Sequence, residues 1–218
     1  MTQMPTTSPT MTPLPSAAPT PRPTLRCASV AFSSARVVAA FADYVQSVFA
    51  TDVDGDGDVD VLSASMNDNT VAWYENDGSQ SFTERPIDYY AYGARSVFAI
   101  DVNGDGEVDV LAASYSENRV SWYENNGLSP PSFSERVIDS YAYGAISVYA
   151  ANMDGDGDMD VLAAAYTGSE IAWYENYVPA YESFWERTIS GSASYASYVY
   201  ATDVDGDGDM DVLSASYG

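Results

Sequence analysis

The chain repeats itself at an interval of about fifty residues, and this limits its fold more than any other property does. The marker residues Asp52, Asp101, Asn152 and Asp203 stand 49, 51 and 51 residues apart. Each unit runs in one order. An apolar stretch comes first: Ser47 to Ala50, Ser96 to Ala99, Ser147 to Ala150 and Tyr198 to Ala201. An acidic segment follows, then a run such as Val59 to Ser65. After a short polar turn comes Val71 to Asn76, matched by Val120 to Asn125 and Ile171 to Asn176. After a second turn comes Ser81 to Ile87, matched by Ser132 to Ile138 and Ser183 to Ile189. A Tyr-rich linker then leads into the next unit.

These runs are short, rich in β-branched and aromatic residues, and bounded by Gly, Asn, Asp and Ser, so they read as strands, four to a unit. A lone unit could not bury both faces of its sheet; stacking on neighbours supplies the core. The expected fold is therefore all-β, a partial β-propeller of four-stranded antiparallel blades, with about three whole blades plus flanking strands. The repeats are placed at about 44–92, 93–143, 144–194 and, incomplete, 195–218, within a repeat region of 29–218. Ala35 to Val38 aligns with Glu135 to Ile138, so a strand closing an earlier, incomplete unit is expected there. Three whole units are too few for a usual closed ring. A fragment, or an oligomer that supplies the rest, is the expectation. Residues 1–28 form a Pro/Thr/Ser-rich tail, expected to be disordered, with a stalk or linker as the functional reading.

Charge removes whole classes of function. The formal net charge is −24, from 32 acids against 8 bases; every base is Arg, and there is no Lys or His. A Walker-type phosphate loop, a Schiff-base lysine, a histidine general base and a histidine metal ligand are all excluded. Nucleic acid is not an expected partner, because phosphate binding needs clustered Lys and Arg. The single cysteine, Cys27, gives no intrachain disulfide and no Cys-rich metal site. No apolar run is long enough to span a membrane, and no secretory signal pattern is visible at the N-terminus.

The acids are concentrated. The pattern Asp/Asn-x-Asp/Asn-Gly-Asp-Gly-Asp/Glu-x-Asp occurs four times in register and holds 18 of the 32 acids. Its polar positions one, three, five, seven and nine are Asp52, Asp54, Asp56, Asp58 and Asp60 in the first copy. They are Asp101, Asn103, Asp105, Glu107 and Asp109 in the second, and Asn152, Asp154, Asp156, Asp158 and Asp160 in the third. The fourth copy has Asp203, Asp205, Asp207, Asp209 and Asp211. Carboxylates ~6 Å apart at an effective dielectric of ~20 repel by about 3 kcal/mol per pair. Held in a tight turn, they call for a cation. A hard ion with oxygen ligands fits, and calcium fits better than magnesium, which keeps its waters. Positions one, three and five can point inward, position seven can offer its carbonyl, and position nine a last carboxylate; Gly at position six permits the sharp turn. An EF-hand is ruled out. Position twelve is Ser63, Ala112, Ala163 or Ser214, and a strand rather than a helix follows each loop.

These loops, and the Asp-Val-Leu strand after each, resemble the FG-GAP/VCBS repeats of the integrin α N-terminal propeller superfamily over about residues 30–218. The resemblance implies a calcium-binding loop between the first and second strands of each blade. It implies ligands Asp52, Asp54, Asp56 and Asp60 with the carbonyl of Asp58, and the same offsets in the other copies. Asn103 and Asn152 lower the local charge, so weaker binding is expected in copies two and three. The Phe-Gly/Gly-Ala-Pro signature is replaced by Tyr92-Gly93-Ala94 and Tyr143-Gly144-Ala145, closer to the VCBS branch.

Up to four structural calcium ions, an extracellular or cell-surface setting and no catalysis are the functional expectations. Extracellular calcium modules bind at about 10⁻⁴–10⁻³ M, which cytosolic calcium would not fill. Calcium loops and the Asn76 to Gln80 turns are expected on one face, and the Tyr-rich linkers with the Met66 to Asn69 turns on the other. Clustered tyrosine is recognition chemistry for a protein or glycan ligand, and equally a means of packing blades together. The Trp-Tyr-Glu-Asn tryptophans Trp73, Trp122 and Trp173 read as core. The alternative function is a non-catalytic or fragmentary part of a secreted carbohydrate-active enzyme.

Overall fold

A computed structural model describes residues 35–178 and 183–218. The tail of residues 1–28 and Cys27 lie outside the described residues. Residues 35–44 carry no strand, which corrects the expected strand at 35–38. The equivalent strands each bond to a Trp-Tyr-Glu-Asn strand, and none of the described residues offers 35–38 such a partner.

From residue 37 the described chain is one body of fourteen strands. The first antiparallel sheet is β1 (Val45–Thr51), β2 (Asp60–Ser65), β3 (Thr70–Asn76) and β4 (Phe82–Asp88), in that spatial order. The second is β5 (Ala94–Ile100), β6 (Asp109–Ser114), β7 (Arg119–Asn125) and β8 (Phe133–Asp139). The third is β9 (Ala145–Ala151), β10 (Asp160–Ala165), β11 (Glu170–Asn176) and β12 (Phe184–Ser190). β13 (Ala196–Thr202) and β14 (Asp211–Ser216) form a two-stranded sheet. The fold is all-β, a partial propeller of four-stranded blades.

Burial follows strand position. β6 and β10 are buried along their whole length because sheets cover both of their faces. The outer strands β4, β8 and β12 carry no buried residue, and β4 accommodates Pro86, which an edge strand tolerates. A bulge recurs between the third and fourth strands, at Val71/Ala72, Val120/Ser121 and Ile171/Ala172, and bulges raise local twist.

The core lies between blades. Leu62, Ala64, Val71 and Trp73 of the first sheet pack on Val97, Ala99, Val110, Ala112 and Tyr123 of the second, and the next two junctions repeat the arrangement. Leu62 is 0% exposed but its counterpart Leu213 in β14 is 44% exposed, so the neighbouring sheet supplies the burial. Innermost rings form a column across the blades. Phe49–Phe98, Phe98–Tyr149 and Tyr149–Tyr200 lie 4.9, 4.9 and 4.8 Å apart. Beside it, the hydroxyls of Ser47, Ser96 and Ser147 accept the amides of Val97, Val148 and Val199 in the next blade, at 3.3, 3.2 and 3.3 Å.

The two rims differ as their chemistry requires. A Cβ on Gly78 would lie 2.5 Å from Asp58 Oδ2, so the acidic loop and the β3–β4 turn share one rim. On the other, Met66 and Tyr115 amides donate to the linker carbonyls of Tyr44 and Gly93. The linker rings stand out from this rim: Phe41, Tyr44, Tyr89, Tyr90, Tyr92, Tyr141, Tyr143 and Tyr195 are all exposed, whereas Tyr198, expected in a linker, lies within β13.

Candidate metal centres

Each acidic loop joins the first strand of a blade to the second. Glycines at positions four and six turn the chain back with φ of 74° and 95° at Gly55 and Gly57, values other residues rarely adopt. A Cβ at either would meet nothing within 4 Å, so backbone conformation and not crowding demands glycine there. The turn folds around the first side chain. Asp52 Oδ1 accepts the Gly55 amide at 2.8 Å and Oδ2 the Gly57 amide at 2.9 Å. Asp101 and Asp203 make the same pair of bonds to Gly104 and Gly106, and to Gly206 and Gly208. Asn152 accepts only the Gly155 amide, at 2.8 Å, because its amide nitrogen is a donor.

Position nine is the buried anchor. Asp60 is 0% exposed, and its two oxygens accept the Val53 amide at 3.1 Å and the Asn76 amide at 2.7 Å. Asp109 and Asp160 are held identically, by Val102 and Asn125 and by Met153 and Asn176. Asp211 accepts Val204 at 2.9 Å.

These bonds bring positions one, three and nine together. Single carboxylate oxygens of Asp52, Asp54 and Asp60 all lie within 4.8 Å of one another, and Asp203, Asp205 and Asp211 do the same. In the second and third copies Asn103 and Asn152 occupy positions three and one, so an amide replaces one of the three carboxylates. Asn103 also turns its amide nitrogen to Asp105 Oδ2 at 2.9 Å. Position three accepts the amide of position five in every copy, at Asp54, Asn103, Asp154 and Asp205. Asp56, Asp105, Asp156 and Asp207 at position five accept the amides of Asp58, Glu107, Asp158 and Asp209, and lie outside the three-acid groups. The position-seven side chains of Asp58 and Glu107 turn toward Gly78 and Gly127 of the β3–β4 and β7–β8 turns.

The electrostatics are those of gathered anions. Burial pushes the Asp109 carboxyl up to about 6, against the lowering effect of the Asn125 and Val102 amides and the Trp122 indole; the Asp105 carboxylate adds to the rise. Burial also raises Asp160, and raises Asp54 with help from Asp56, Asp60 and Glu75. That last neighbour was missed in the sequence. Glu75, Glu124 and Glu175 of the Trp-Tyr-Glu-Asn strands pair with Arg85, Arg136 and Arg187. Each guanidinium caps its blade's tryptophan, at 5.6, 5.5 and 5.3 Å from the ring centres of Trp73, Trp122 and Trp173. The signal was the co-occurrence of Trp, Glu and Arg once per unit, a pairing the repeat makes visible only when strand register is known.

The donor set fits a hard divalent cation. It is all oxygen, and each of the two groups brings three carboxylates together.

Comparison with known proteins places the chain. The model of the FG-GAP-like repeat family matches residues 52–112, 101–163 and 152–214. No curated protein matches. Among solved structures, the chain is similar to the V. cholerae biofilm matrix protein Bap1, at 18% identity and a TM-score of 0.45. The match covers 77% of this chain but 27% of that one, so this chain spans about a quarter of its length. The three overlapping family matches run through most of the described chain and span all four acidic loops; the protein belongs to the FG-GAP-like repeat family.

Proposed function

We propose that the chain is an extracellular or cell-surface repeat module that binds up to four calcium ions in its blade loops and serves adhesion or ligand binding. The observation that carries this reading is the gathering of Asp52, Asp54 and Asp60, repeated by Asp203, Asp205 and Asp211. In each copy, positions one, three and nine would hold the ion, with the side chain of position five and the carbonyl of position seven completing the set: Asp56 and Asp58, Asp105 and Glu107, Asp156 and Asp158, Asp207 and Asp209. The ion supplies charge neutralisation. Four divalent ions add +8 to the formal −24 and leave −16. The role is structural and not catalytic, since each clustered acid belongs to a loop made four times. Recognition of a protein or glycan ligand is assigned to the linker rim, where exposed tyrosines recur blade by blade.

Calorimetric calcium titration of the chain tests the cation reading. Expected are up to four sites of Kd about 10⁻⁴–10⁻³ M. Asp54→Asn and Asp205→Asn should each weaken their own loop about tenfold or more, with the fold intact by circular dichroism. Heat changes no larger than dilution in calcium would defeat the reading. Binding to arrays of glycans and extracellular proteins, lost on Tyr90→Ala and Tyr141→Ala, checks the linker rim.

A further inference from the structure

Two buried asparagines tie the acidic loops of neighbouring blades together. The side-chain amide of Asn125 donates to Val108 O at 3.0 Å, in the loop of its own blade. It also donates to Val53 O at 3.4 Å, in the loop of the blade before. Its backbone amide donates to Asp109 Oδ1 at 2.8 Å. Asn176 repeats this one blade on, donating to Met159 O and Val102 O, both at 2.9 Å, and to Asp160 Oδ1 at 2.7 Å.

The residue gripped across each junction by its carbonyl is bonded through its own N–H to the position-nine acid of its loop. Val53 N–H donates to Asp60 Oδ2, and Val102 N–H to Asp109 Oδ2, each at 3.1 Å. A continuous path therefore runs Asp60, Val53, Asn125, Asp109, Val102, Asn176, Asp160. Every residue on it is buried, with exposures between 0% and 3%, so water does not compete for these bonds. The path passes through the position-nine acid of three successive loops.

We propose that Asn125 and Asn176 make the first three acidic loops load divalent cations as one cooperative unit, a proposal that rests on the cation-binding reading above. A cation that fixes Asp109 fixes the backbone of Asn125. That steadies the grip of its side chain on Val53, and so the amide that Val53 presents to Asp60. Order supplied by one ion need not be supplied again by the next, which is positive coupling, and it is reciprocal. The two asparagines are positioning residues here, since the acids alone would touch the ion. Loop four lies beside loop three but outside this asparagine path. Asp211 is bonded to Val204, but among the described residues no asparagine links that loop to loop three.

A calcium titration of the full chain, followed by the amide resonances of Gly57, Gly106, Gly157 and Gly208, reads the four loops separately. Gly57, Gly106 and Gly157 should move together and Gly208 at a midpoint of its own. Asp101→Asn, which weakens loop two only, should raise the Gly57 midpoint about fivefold, although Gly57 lies in another blade. In an Asn125→Ala background the same substitution should leave Gly57 where it is. Asn76→Ala loses the corresponding bond within its own blade, to Val59 O at 3.0 Å, and, among the described residues, no bond across a junction. It should leave Gly106 and Gly157 titrating together. The coupling is overturned if Asp101→Asn leaves Gly57 unmoved in the Asn125 chain, or moves it equally with and without Asn125. The first comparison decides by itself should Asn125→Ala not fold. Silence of all four glycines in calcium overturns the cation reading, and the coupling with it; four independent midpoints overturn the coupling alone.

Discussion

Gly93 and Gly144 hold φ of 71° and 70° where the linkers enter β5 and β9, and the same place in the first and last repeats is taken by Tyr44 and Tyr195 at 57° and 52°. The conformation is costly for a residue with a Cβ. At Gly93 space is also lacking: a Cβ would lie 2.5 Å from Ser116 Oγ and 3.0 Å from its backbone nitrogen. Gly93→Ala should cost about 2 kcal/mol in chemical denaturation, whereas Tyr44→Asn, which suits the left-handed region, should gain about 0.5 kcal/mol. The buried acid Asp109 makes a second prediction, for the chain kept metal-free with chelator. Its carboxyl titrates near 6 when folded and near 3.8 as the unperturbed group, so the folded state holds the proton more tightly. Stability from this group is therefore full below about pH 4 and lost as pH rises to about 6. The metal-free melting temperature should fall between pH 4.5 and 6.5, and Asp109→Asn should flatten that fall.

At the scale of the strand and its junctions, the Tyr-Asp clasp is the clearest test. Tyr123 donates its hydroxyl to Asp88 Oδ2 at 2.8 Å, and Tyr174 to Asp139 Oδ2 at 2.7 Å, each across a blade junction. Burial and the facing carboxylate hold both phenols in the protonated, donating form. Tyr74 has the same place in the first blade but meets Ser63 Oγ at 3.4 Å, not an aspartate. Tyr123→Phe should cost about 1.5–3 kcal/mol by denaturant titration and Tyr74→Phe under about 1 kcal/mol. None of these junction contacts was legible in the sequence. The strands, the turns between them and the rim carrying each loop could be read, because hydrophobic runs and Gly-Asp punctuation report local structure. The partners across a junction lie 35 to 74 residues apart, as Asp88–Tyr123 and Val102–Asn176 do, and a period does not say which residues of successive units meet. Asn125 and Asn176 accordingly read only as strand ends. The expected strand at 35–38 failed for the same reason: its pattern is present, but a strand exists only with a partner.

For the whole molecule, the acidic loops and the junctions describe one design. Blades bury their faces against each other through small and β-branched residues, and the 18 loop acids gather along one rim of that stack. Among the described residues no helix is long and apolar enough to cross a membrane. The composition that excluded His and Lys chemistry, an intrachain disulfide and a Cys-rich metal site was legible at once; so was the placement of the four acidic segments between first and second strands. Positions one, three and nine were expected together from the sequence; that Asp56 and Asp207 at position five lie outside the three-acid groups, and that position nine is buried in the first three copies, needed the structure. The central claim is that these loops need a divalent cation before the sheets beside them reach full stability. The most direct measurement is the melting temperature of the chain in millimolar calcium against chelator at pH 7.5. The account predicts a rise of about 10 °C or more, since ions bound only by the folded state stabilise it by mass action. Superimposable melting curves in calcium and chelator would contradict it.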